Sequence, residues 1–127
     1  MLTLKIQPGE YSICRLPAGA EIPANLRRTD SFVSISRTAD ELSIVCLSDL
    51  APSNCESRSD DWRCLRFNGK FDLSLTGVLS SVLSPLAASQ ISVFTISTFD
   101  TDYILVRGSE LPRTIEVLTQ AGHRCHS

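Results

Sequence analysis

Short runs of the chain are apolar, and one of them, Trp62–Asn68, alternates apolar and polar residues. That period of two predicts strands with one buried face. Leu2–Ile6 and Tyr11–Leu16 read as strands around a Pro8-Gly9 turn, and Phe32–Ser36 and Leu42–Leu47 as a pair of strands. Trp62–Asn68 alternates in the second half, and Ser92–Thr98 and Tyr103–Arg107 read as two strands joined by a tight polar turn. Between Thr76 and Ala88 the period changes: Val78, Leu79, Val82, Leu83 and Leu86 form a stripe at helical spacing, and Pro85 removes one helical N–H within it. A second helix is expected over Glu110–Ala121, capped by Ser109, with Leu111, Ile115 and Leu118 on its inner face and Gly122 as its stop. Ile22–Arg28 leaves room for about two helical turns after Pro23. Ala51–Asp61 is polar, carries Pro52 and shows no period, which predicts a linker in place of another helix.

The pattern repeats. A shift of 61 positions lays Ser34-Ile35-Ser36 on Thr95-Ile96-Ser97, Glu41-Leu42 on Asp102-Tyr103, and Ile44-Val45 on Leu105-Val106. The same shift lays Leu4-Lys5-Ile6 on Leu65-Arg66-Phe67. One offset shared by separate segments implies two copies of one supersecondary unit, residues 1–60 with reduced helices and residues 61–127. In the second copy the order is β-α-β-β-α, and a last strand has little room before Ser127, so its place could be taken from the other copy. Strands and helices in this order predict an α+β fold of two ferredoxin-like βαββαβ units, antiparallel sheets with helices packed on one face.

Composition narrows the function. The 127 residues are 43% hydrophobic, enough for a core built by burial alone, and the net charge is −2. No basic cluster exceeds the pair Arg27-Arg28, so neither nucleic acid nor an acidic membrane surface is an expected partner. No apolar run has the length of a membrane span. The five cysteines are odd in number and lack a C-x-x-C pair, and the N-terminus shows no signal peptide; a reducing, cytoplasmic setting is expected.

The stretch ISTFDTDYILV, Ile96 to Val106, places a polar turn between two strands. Asp100 and Thr101 suit the turn itself, because their side chains hydrogen-bond to nearby backbone. Thr98, Phe99 and Asp102 flank it and can approach the loop Ser74-Leu75-Thr76-Gly77-Val78 that leads into the first helix. A helix N-terminus offers free N–H groups and partial positive charge to a carboxylate, Gly77 lets a ligand come close to backbone, and an acidic group across the gap suits an ammonium. Those two ends together describe an amino acid zwitterion.

The segments CRLP (Cys14–Pro17), SISRTADELSIVC (Ser34–Cys46), WRCLRFNGKFDLSLTGVLSSVLSPLA (Trp62–Ala87) and ISVFTISTFDTDYILV (Ile91–Val106) resemble ACT domains. They are most similar to the tandem-ACT group of cytosolic arginine-sensing CASTOR proteins, and the likeness covers nearly the whole chain. The resemblance implies a pair of ACT units that is usually dimeric, with ligand sites at interfaces between units. It carries Thr76, Gly77 and Val78 onto the ligand-binding loop, and Thr98, Phe99 and Asp102 onto the facing turn. Two departures stand out: Leu75 replaces an acidic loop residue of the sensor, and Gln90 replaces the glycine that commonly precedes the strand.

Other chemistry finds less support. Asp100 and Asp102 enclose nothing as i and i+2 neighbours, and the His123–His126 segment is expected to be a frayed end without a second zinc half-site. The only histidines are His123 and His126 near the tail, and neither a G-x-S-x-G motif nor a Gly-rich phosphate loop occurs. The expectation is a regulatory protein, not an enzyme, without cofactor or metal. It would bind a small molecule, an amino acid, at a unit interface, as a homodimer acting on a separate effector protein. The alternative is a structural dimerisation module without a ligand.

Overall fold

The computed structural model describes all 127 residues. In chain order the strands are β1 (Thr3–Ile6), β2 (Tyr11–Leu16), β3 (Ser34–Arg37), β4 (Leu42–Leu47) and β5 (Ser57–Phe67); after helix α1 (Val78–Ala88) come β6 (Val93–Ser97) and β7 (Asp102–Arg107), then α2 (Leu111–Gln120) and β8 (Arg124–His126). The chain divides into two compact units: Gly9–Trp62, and Met1–Pro8 together with Arg63–Ser127. The division expected at residue 60 is therefore corrected at the N-terminus, because β1 is hydrogen-bonded between β5 and β8.

In the Gly9–Trp62 unit, β3, β4, β2 and the first half of β5 lie side by side, all antiparallel. Alternation sends Cys14 and Leu16 of β2, and Leu42, Ile44 and Cys46 of β4, to one face, where they form a core with Leu26. Leu26 comes from a 3-10 turn, Ala24–Arg27, which is all that forms of the two helical turns expected over Ile22–Arg28. A second 3-10 turn, Ser48–Leu50, stands where the other helix would be. The expected linker is also corrected, since β5 begins at Ser57. Its backbone pairs Ser57, Arg58 and Ser59 with Arg15, Cys14 and Ile13. Ladder bonds are made by the main chain, so a polar stretch joins a sheet when its side chains find partners. Here Ser12 donates to Asp60 Oδ1 at 2.5 Å and Arg58 Nε donates to the same oxygen at 2.7 Å. The Ser12 bond first, and Arg58 second, hold the Asp60 carboxyl below the usual carboxylate range.

The other unit contains the order β5-α1-β6-β7-α2-β8, a complete βαββαβ series. Its strands run β6-β7-β5-β1-β8. β1 is antiparallel to β5, with Leu4 opposite Phe67, and parallel to β8, with Leu4 opposite Cys125. The shift of 61 thus aligns the β3–β4 hairpin with β6–β7. Leu4–Ile6 and Leu65–Phe67, by contrast, are ladder partners within one sheet. The expected frayed end is instead strand β8.

Leu4, Leu65, Phe67, Ile104 and Val106 project from one face of this sheet and meet Val82 and Leu86 of α1 and Leu118 of α2. Both helices therefore cover the same face. Ser109 does not cap α2: a 3-10 turn spans Gly108–Glu110, and α2 starts beyond it with a proline in its first turn, where the missing N–H costs no hydrogen bond. Thr114 and not Ile115 shares the buried face with Leu118, because its hydroxyl donates to the Glu110 carbonyl at 2.8 Å and needs no solvent. Gln90 adopts φ +60°, the left-handed region in which glycine is commonest.

Candidate functional site

The cavity begins where α1 begins. Gly77 precedes the helix with φ +79° and ψ −6°, a left-handed conformation that lets the chain turn sharply into the first turn. No side chain caps the helix, and no acidic residue occupies its first turn. The nearby serines are turned the other way: Ser80 Oγ donates to the Gly77 carbonyl at 3.2 Å and Ser81 Oγ to the Val78 carbonyl at 2.7 Å. The first amides of α1 are thus left with their donor capacity and the positive end of the helix dipole.

The loop before Gly77 is held by its own polar groups. Asp72 Oδ1 accepts from the Ser74 backbone N–H at 2.8 Å and from the Ser74 hydroxyl at 2.7 Å. Those bonds, the backbone one first, draw the Asp72 carboxyl below the usual range. Opposite stands the β6–β7 turn. Ser97 and Asp102 are its last paired residues, and the Ser97 hydroxyl donates to Asp102 Oδ1. Thr98 N–H donates to the Thr101 carbonyl at 2.8 Å, and Thr101 N–H returns a bond to Thr98 Oγ1 at 3.2 Å. The loop and the turn are joined by Phe71 N–H, which donates to the Asp100 carbonyl at 2.7 Å. Thr101, 5% exposed, anchors the turn from beneath by donating its hydroxyl to the Phe67 carbonyl at 2.8 Å.

Loop, helix start and turn enclose a cavity of about 310 Å³. Gly77, Val78, Thr98, Phe99 and Asp102, singled out in the sequence, all line it; Thr76 is exposed and does not. Sequence reasoning missed Phe71, Asp72, Leu73 and Ser80, and took Asp100 as a turn residue alone. The D-x-S spacing of Asp72 and Ser74, which favours a side-chain-to-backbone turn, was the available signal. Three carboxylates line the cavity, from Asp72, Asp100 and Asp102, and no lysine, arginine or histidine does. Its rim is apolar and open, with Leu73, Leu75 and Phe99 exposed. Every lining residue lies between Phe71 and Asp102, so the cavity belongs to one unit. No group of three or more His, Cys, Asp or Glu is arranged to hold a metal ion, and no helix is long and apolar enough to cross a membrane.

A βαββαβ unit with a cavity between its first helix and its β6–β7 hairpin defines a small ferredoxin-like α+β module. The ACT domain family model matches residues 57–120, and the chain belongs to that family. A further model, described as an N-terminal domain, matches residues 9–54. Over 100 residues the chain is 31% identical to the human putative protein CASTOR3P, covering 69% of this chain and 61% of that protein. Over 63 residues it is 36% identical to the human cytosolic arginine sensor for mTORC1 subunit 1, covering 49% of this chain and 19% of the sensor. The matches therefore span about three fifths of one relative and about a fifth of the other. Among solved structures, protein Atu0741 from Agrobacterium tumefaciens superposes with a TM-score of 0.89 at 44% identity, covering 99% of this chain and 93% of that one.

Proposed function

We propose that this protein is a non-enzymatic regulatory module that binds an amino acid in the cavity between the start of α1 and the β6–β7 turn. The observation that carries the reading is the pairing of opposite polarity across one space: uncapped helix amides at Gly77–Val78 and the carboxylate of Asp102 line the same cavity. An α-carboxylate would take the amides and an α-ammonium would take Asp102, each charge-assisted bond contributing about 1.5–3 kcal/mol. The volume lies at the lower end of the range for small-molecule sites, about 300–1,000 Å³. Three carboxylates without a basic side chain disfavour a purely anionic ligand such as phosphate. Relatives named as an arginine sensor support amino acid binding as the class of activity.

Ligand binding would bias association between copies. The exposed Leu73, Leu75 and Phe99 form an apolar rim that a second copy could cover, closing the cavity at an interface and making the working form a homodimer. Its output then passes to a separate effector protein. Five free cysteines suit the reducing cytoplasm as its setting.

A thermal-shift screen against the twenty amino acids tests the reading. At least one should raise the melting temperature by an amount that grows with concentration, and Asp102→Ala should abolish that rise. A response that survives Asp102→Ala would remove this site. A stable dimer with no response to any amino acid would favour a purely structural dimerisation module.

A further inference from the structure

Basic residues that stand far apart in the sequence meet on the sheet face that the helices leave uncovered. Leu4, Leu65, Phe67 and Cys125 pack into the core beneath α1 and α2, so the alternate residues of β1, β5 and β8 take the opposite face. Lys5 lies opposite Arg66 in the β1–β5 ladder and opposite His126 in the β1–β8 ladder; Thr3, on the same face, lies opposite Arg124. Asn68 joins the group, its Nδ2 lying 3.3 Å from His126 Nε2. Lys5, Asn68, Arg124 and His126 are exposed and Arg66 is half-buried. Cys64, the preceding residue of β5 on this face, is fully buried, so the open area ends at Arg66. Neither β1 nor β8 contains an acidic residue, and β5 has none from Trp62 to Phe67.

This arrangement destabilises the free protein. Like charges directly opposite in a ladder repel, and Lys5 faces Arg66 with no carboxylate paired to either. Arg15, Arg58 and Arg113 each hold a carboxylate, whereas Lys5, Arg66 and Arg124 form no ion pair. Arg66 Nε is also buried without a hydrogen-bond partner. Carboxylates brought to this face would relieve the repulsion and give the guanidinium a charged acceptor.

We propose that this face docks an acidic segment of a partner protein, a stretch of chain in which several Asp or Glu side chains lie within a few residues of one another. Complementary charge argues for that occupant. The cations are spread over adjacent strands, about 4.8 Å apart from strand to strand, and so match carboxylates spaced along a chain better than one compact anion. Nucleic acid fits less well. Bases need aromatic faces to stack on, β1, β5 and β8 expose no aromatic side chain, and the net charge of −2 repels a long polyanion. A bilayer would call for large apolar side chains beside the basic ones, and these strands expose none. The cavity at the start of α1 lies outside this face, so docking here does not depend on amino acid binding.

The test titrates the full-length protein with fluorescein-labelled hexaglutamate, and for comparison with hexaglutamine, oligouridylate and phosphatidylcholine–phosphatidylserine vesicles. Hexaglutamate should bind, weaken with added salt, and shift the amide resonances of Lys5, Arg66 and Arg124. Lys5→Glu combined with Arg124→Glu should weaken it by about tenfold or more, since two exposed charge pairs are lost and replaced by repulsion. Arg27→Glu combined with Arg28→Glu makes the same change in net charge elsewhere and should alter binding by less than about twofold. Lys5→Glu alone should raise the melting temperature, because it sets a carboxylate opposite Arg66; that separates lost docking from lost folding. Absent hexaglutamate binding, an equal loss in the two double variants, a fall in the melting temperature of Lys5→Glu, or preferential binding of oligouridylate or vesicles at Lys5 and Arg124 would each overturn the docking assignment.

Discussion

His123 Nε2 donates to the carbonyl oxygen of Ser81 at 2.9 Å, and that carbonyl is the one that Pro85, four residues further along α1, leaves without a helical donor. A carbonyl can only accept, so Nε2 carries the proton and Nδ1 is the free acceptor. Nδ1 takes the Leu2 backbone N–H at 3.0 Å. One buried imidazole therefore completes α1 and secures the approach to β1, one turn beyond the helix start that lines the cavity.

His123→Ala should consequently leave two groups without partners, the Ser81 carbonyl and the Leu2 amide, at about 1–3 kcal/mol for each that stays buried. Pro85→Ala restores a helical N–H for Ser81. In the His123→Ala background it should recover part of the loss, and by more than the gain Pro85→Ala brings to the wild type. Urea denaturation of the four proteins reads the coupling. Equal effects of Pro85→Ala in both backgrounds would show that the imidazole does not serve that carbonyl.

Thr101→Val tests the anchor under the β6–β7 turn. Valine keeps the shape and removes the hydroxyl that donates to the Phe67 carbonyl. With Thr101 only 5% exposed, water does not replace the bond, and the expected loss is about 1–3 kcal/mol. Amide exchange should locate the loosening at Thr98–Asp102. A uniform loss across the unit, with the turn as protected as before, would contradict a local anchor.

The limits of β2 and β4 were legible to the residue, because each is a short, mostly apolar run bounded by turn residues. The first half of β5 was not: Ser57–Asp61 carries no apolar signal, and its place in the sheet rests on main-chain bonds and on Ser12 and Arg58 meeting Asp60. The insertion of β1 between β5 and β8 was hidden for a different reason. Leu4-Lys5-Ile6 resembles Leu65-Arg66-Phe67 equally well whether the two are equivalent strands or partners, and pairing across more than sixty residues leaves no local mark. At the cavity, Gly77 and Asp102 could be read from helix-end and turn chemistry. Asp72 was not legible as a site residue, because its bonds to Ser74 organise the loop from within and its spacing marks only a local turn.

Asp72 also gives the cavity a pH dependence. Hydrogen bonds from the Ser74 backbone N–H, and then from its hydroxyl, favour the ionised carboxylate, so the folded-state pKa lies below the unfolded value of about 3.9. The sign follows from linkage. The contribution to loop stability is fully present above the unfolded value and is lost as the pH falls through the lower folded one. From neutrality down to about pH 5 the loop should be unchanged. In more acidic solution the Ser74 amide resonance should titrate with a midpoint below that of an unstructured aspartate, and exchange across Phe71–Gly77 should quicken. Asp72→Asn keeps a carbonyl acceptor for the amide and removes the titration, so its Ser74 resonance should stay flat through the same range. A wild-type midpoint at or above the ordinary aspartate value would mean that Ser74 does not hold the carboxylate, and that this wall of the cavity is organised by something else.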